Sequence, residues 1–185
     1  MREYKEGILF ENVNELVERW EQMDELFYLK INWKGQFANE AFPEIMVYNY
    51  RDEYKEILRN TLDYISLNFE KIYVNMLDSF LPALIEWEFK NKETGELVLT
   101  RDDMDKAKAP DEFISSIQIN CEDNKNGRAY YSIVFSIDIS KYNYDEGMET
   151  IFYDDRVIYW TEANSRQAIL EFRDYDDEIT YFGEE

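Results

Sequence analysis

Histidine is absent from this chain. Its absence removes Ser-His-Asp and Cys-His catalysis, imidazole metal sites and the usual switch near physiological pH. Cys121 is the single cysteine, so no disulfide can close within the chain and nothing calls for an oxidising compartment. Glycine (6) and proline (3) are scarce, which favours long regular elements over flexible linkers. The glycines lie far apart, at 7, 35, 95, 127, 147 and 183, so there is no Gly-rich phosphate loop. No window approaches the length of a transmembrane helix. The N-terminal apolar run, Ile8-Leu9-Phe10, is too short for a signal peptide, so the chain is expected in the cytoplasm. Bases are few: 20 against 41 acids, for a formal net charge of −21. That charge repels phosphate and argues against bare nucleic acid as a partner.

What the chain does have is 185 residues, 45% of them hydrophobic and 17% aromatic. Such a chain can bury a core without staples, and a single domain over residues 1–185 is expected. Val13, Leu16, Val17, Trp20 and Met23 recur at helical spacing over 12–24, with Asn12 as cap and Glu15 three residues on. The period then changes. Phe27, Leu29, Ile31 and Trp33 alternate with Tyr28, Lys30 and Asn32, as in a strand with one buried face. Lys34-Gly35 begins a turn, and a second extended run, Ile45 to Tyr50, is expected to pair with the first as an antiparallel ribbon.

Residues 51 to about 90 are helical in pattern. One helix of that length would reach about 60 Å. A break near Asp78-Ser79 is therefore expected, with Ser79 capping a second helix whose first turn holds Pro82. Residues 100–112 are polar, a loop or short helix. From Ile114 the pattern is β. Asn126-Gly127 is a two-residue hairpin signal, Tyr131 to Ile139 alternate, and Met148–Tyr153 and Val157–Trp160 form a hairpin across Asp154-Asp155-Arg156. Residues 162–172 suit a short helix. The acidic C-terminal segment 171–185 carries seven acids and one base.

Candidate chemistry is thin. Glu122 to Gly127 resembles a calcium loop only superficially, because the bidentate twelfth position would be Ile133. Asp102, Asp103 and Asp105 could meet a divalent cation, but they equally suit a solvated loop or a helix start. Asp154-Asp155 reads as a turn, with a catalytic pair as the alternative. Cys121 has no imidazole to activate it and suits a buried strand. Tyr142, Tyr144, Tyr175 and Tyr181 sit among charges, as half-exposed tyrosines or as interface residues. In the tail, Asp174, Asp176, Asp177 and Glu178 mix with Tyr175, Ile179, Tyr181 and Phe182. That mixture suits either a basic, partly apolar partner or a final strand packed by its apolar face.

Ile117-Gln118-Ile119 is followed by Gly127-Arg128-Ala129-Tyr130-Tyr131-Ser132-Ile133-Val134-Phe135-Ser136. Then come the acidic-Gly turn Asp145-Glu146-Gly147-Met148 and the run Tyr153-Asp154-Asp155-Arg156-Val157-Ile158. This order, over residues 114 to 170, resembles a group of small acidic bacterial domains of uncharacterised function. Some of them are proposed as immunity proteins beside polymorphic toxins. That family carries Trp-Asp and a histidine around the acidic-Gly turn, where this chain has Tyr144-Asp145 and no histidine. The resemblance implies no catalytic residue.

The resulting expectation is a single α+β domain, an antiparallel sheet packed against a helical layer. The expected function is a non-enzymatic immunity-type inhibitor that occludes a basic protein, a toxin or nuclease. Asp174, Tyr175, Asp176, Asp177 and Glu178 are its expected contact residues. No cofactor, catalytic metal or membrane partner is expected, and an exposed sheet edge leaves room for a homodimer. The rivals are a nucleic-acid mimic that blocks DNA-binding proteins and a metal-dependent enzyme using carboxylates alone.

Overall fold

The first helix starts where the side chains dictate. The Oδ1 of Asn12 accepts the Glu15 N–H at 2.9 Å, and α1 (Val13–Arg19) buries Val13, Leu16 and Val17. The computed structural model describes residues 7–20, 26–33, 35, 40–86, 114–135 and 148–162, excepting the side chains of 80–86, 135, 148 and 160–162. The expected continuation of α1 to 24 lies outside these residues, as do the polar stretch 100–112, the helix expected over 162–172 and the acidic segment 171–185.

The strand expected over 27–33 is divided between two sheets. β1 (Ile8–Phe10) runs parallel to β2 (Phe27–Leu29), and the Lys30 N–H closes that pairing on the Phe10 carbonyl at 2.8 Å. The chain then leaves for a second ladder. There β3 (Ile31–Asn32) meets β4 (Glu40–Ala41), with Ile31 opposite Ala41. Phe27, Tyr28 and Leu29 are all buried, so the expected solvent face is missing. Alternation could not reveal this, because it presumes one wet face.

The large sheet continues with β5 (Glu44–Tyr48), β6 (Ile114–Lys125), β7 (Arg128–Phe135), β8 (Met148–Tyr153) and β9 (Arg156–Glu162). Its order is β1-β2-β5-β6-β7-β8-β9. Tyr28 pairs antiparallel with Glu44, as the expected ribbon requires. The sheet is mostly antiparallel, but β5 and β6 run parallel, with Ile45 opposite Ile117. A parallel pair needs a crossover, and the crossover here contains the long helix.

That helix, α2 (Lys55–Glu86), has 32 residues and no break at Ser79, which corrects the expected two-helix arrangement. Ser79 caps nothing; its hydroxyl donates to the Met76 carbonyl at 3.0 Å. Leu58, Leu62, Ile65, Phe69, Ile72 and Met76 are all buried, spaced by four, three, four, three and four residues. Each such side chain stabilises by about 1.5–3 kcal/mol when buried. A cap is worth about 1 kcal/mol, so an unbroken stripe against the sheet outweighs it.

The opposite face of the sheet is also buried. Tyr130, Ile151, Tyr153 and Ile158 form a second apolar cluster there, with Tyr48 and Tyr159 packed against it. At the β6–β7 turn, Asn126 and Gly127 have φ of 52° and 79°, the two positive angles of the expected hairpin.

Candidate functional site

Asn126-Gly127 and Asp154-Asp155, the tips of two hairpins, both meet α2. Asn60 Nδ2 donates to the Gly127 carbonyl at 3.2 Å, and Asn75 Nδ2 to the Asp155 carbonyl at 2.6 Å. Arg128 donates to Asp154 at 2.8 Å, and its guanidinium lies 4.5 Å from the centre of the Tyr64 ring. Lys71 pairs with Asp155. The two carboxyls are pushed in opposite directions. Burial raises Asp154 above the ordinary range, against the pull of Arg128, while the hydrogen bond from Lys71 holds Asp155 below it. Split carboxyls can serve acid–base chemistry. Here each already has a structural task, tying a hairpin tip to α2, as a turn at Asp154-Asp155 requires.

The other singled-out residues are also placed. Cys121 is buried, and burial pushes its thiol up to about 12. A thiol so poorly ionised is a weak nucleophile. Glu122 to Gly127 belongs to β6 and its turn, Ile133 is buried, and Asn120 Nδ2 donates to Asp123 Oδ2 at 2.8 Å. Among the described residues, no three His, Cys, Asp or Glu side chains gather so as to hold a metal ion. No described helix is long and apolar enough to cross a membrane. Asp102, Asp103, Asp105, Tyr142, Tyr144 and the expected contact residues Asp174, Tyr175, Asp176, Asp177 and Glu178 lie outside the described residues.

Two features are not evident from sequence. One is a buried polar patch on the sheet face away from α2. Glu149 is 0% exposed, and its Oε1 accepts from the Ser132 hydroxyl. Glu149 Oε2 and Gln118 Oε1 are buried without hydrogen-bond partners among the described residues. Burial raises the Glu149 carboxyl, and the bond from Ser132 offsets part of the rise.

The other feature is the solvent side of α2, where Glu56, Asn60, Asp63, Leu67, Lys71 and Asp78 are all exposed. Leu67 is 84% exposed. A sequence signal for it exists: it falls off the apolar stripe that packs on the sheet.

Every described lysine and arginine is engaged within the chain. Lys30 meets Glu40, and Arg51 meets Glu53. Lys55 and Arg59 both reach Glu18, and Arg59 also reaches Glu56. Arg19 and Lys125 lie over the rings of Phe10 and Tyr153. Arg156 acts on Asp154, beside Arg128. Among the described residues, Asp63 and Asp78 form no salt bridge with a lysine or arginine. The bases are thus spent inside the molecule, and the surplus of acid faces outward. Comparison of the chain with protein-family models, with curated proteins and with solved structures finds no match.

Proposed function

We propose that this chain is a non-enzymatic acidic binding protein, an immunity-type inhibitor that works in the cytoplasm by occluding a basic toxin or nuclease. One observation carries the reading. The described lysines and arginines are held by partners within the chain, against a formal net charge of −21. A surface of that kind attracts a basic protein from a distance and speeds encounter at low salt. Its carboxylates then pair with lysines and arginines that would otherwise meet phosphate or substrate. The resemblance of residues 114 to 170 to small acidic bacterial domains supports the same reading.

The test pairs this chain with the basic protein encoded beside its gene. We expect a one-to-one complex that weakens steeply with salt, and survival of cells that make both proteins where the neighbour alone kills. A neighbour that is not bound, or one whose activity persists in the complex, overturns occlusion. Binding to DNA-binding proteins in general, in competition with DNA, would instead favour mimicry of nucleic acid.

A further inference from the structure

We infer that the basic partner docks on the solvent side of α2, with Leu67 as the apolar anchor between Asp63 and Asp78. The inference rests on the proposed function and adds to it a face and a contact chemistry. Glu56, Asn60, Asp63, Leu67, Lys71 and Asp78 fall within an arc of about 80° on a helix of 3.6 residues per turn. Leu67 stands about 180° from the middle of the stripe formed by Leu58, Leu62, Ile65, Phe69, Ile72 and Met76. It is therefore the pole of the helix that faces away from its own core, and it is 84% exposed. Among the described residues, nothing packs over that side chain to cover it.

The charge around it has one sign to offer. Lys71 is committed to Asp155, and Arg59 is turned back onto Glu18 and Glu56. Asp63 lies one turn before Leu67. Asp78 lies three turns beyond it, about 16 Å along the axis. A matching surface would present an apolar recess flanked by lysine or arginine at that spacing. An apolar centre with a charged rim is the usual anatomy of a specific interface: the centre sets the lifetime of the complex and the rim sets the rate of encounter.

The experiment uses the full chain and, as probe, a catalytically inactive form of the basic protein encoded beside it. Leu67→Ala should weaken binding about tenfold or more, mainly through faster dissociation. Asp63→Lys with Asp78→Lys should slow association and flatten its dependence on salt. All three positions are exposed, so unfolding midpoints in urea should match the parent and show that the variants fold. If the parent binds and these variants bind equally well, the α2 face is wrong while the proposed function stands. If the parent does not bind, the proposed function fails and this inference fails with it.

Discussion

Arg128 and Asp154 stand 26 positions apart in the chain and meet at 2.8 Å, where the ends of two hairpins reach α2. Both are partly buried, and Arg128 also covers the Tyr64 ring. Arg128→Met keeps much of the stem but leaves Asp154 without its cation in a site that already resists ionisation. We expect a loss of about 1.5–3 kcal/mol, the range for hydrogen bonds to charged groups. Arg128→Lys should recover only part of it, since an ammonium neither stacks flat on tyrosine nor forks. Urea unfolding of both variants is the measurement, and equal stability of the methionine variant and the parent would show that the pair is dispensable.

Thr61 is a relay between helix and sheet. Its hydroxyl donates to the Ile57 carbonyl at 2.7 Å and accepts the buried Ala129 N–H at 2.8 Å. Thr61→Val preserves shape and removes the acceptor, so the Ala129 N–H is left unsatisfied. The expected cost is about 1–3 kcal/mol. Thr61→Ser keeps the relay and should cost less. The same ranking should appear in hydrogen exchange at Ala129, which the valine variant should speed most.

Ser79 separates two arrangements of residues 51–90. A helix cap replaced by alanine costs about 1 kcal/mol. A serine inside a continuous helix, bonded to the carbonyl three residues back, contributes little. Ser79→Ala should therefore change stability by less than about 0.5 kcal/mol. A loss of the size of a cap in thermal unfolding would argue for a helix start at this position.

Glu149 gives the fold a pH dependence of definite sign. Burial raises its carboxyl in the folded state, so the folded protein holds the proton more tightly than the unfolded chain does. Stability then falls as pH rises from the unfolded value, about 4.3, through the folded one. Glu149→Gln should match the parent near pH 4 and exceed it in stability at neutral pH. Asp155 works in the opposite sense. Lys71 holds it low, so its contribution is present above about 3.9 and is lost as pH falls through its folded value. For that reason the quantity to follow is the difference between the glutamine variant and the parent across pH. A difference that does not change with pH would show that Glu149 ionises in the fold as it does in water.

Local and periodic features of this protein are legible in the order of its amino acids. Asn12 caps α1 because its side chain reaches the N–H three residues on. Asn126-Gly127 turns because both positions take positive φ, and the stripe from Leu58 to Met76 repeats at the pitch of a helix. Tertiary structure decided what depends on neighbours distant in sequence. The local cap signal at Ser79 lost to an apolar stripe that the sheet holds straight. The run from Phe27 to Trp33 divided at Lys30 because two different strands claimed its halves. The parallel pairing of β5 with β6 followed from the α2 crossover, which hydrophobic alternation cannot record. Ser132 and Glu149 read as the polar face of a strand, and only the burial of the second sheet face placed them inside. Leu67 is one leucine among many in the sequence, and only the fold shows which side of α2 is already occupied. A capping bond or a turn is settled within a few residues, whereas burial is settled by whatever the rest of the chain brings to cover a face.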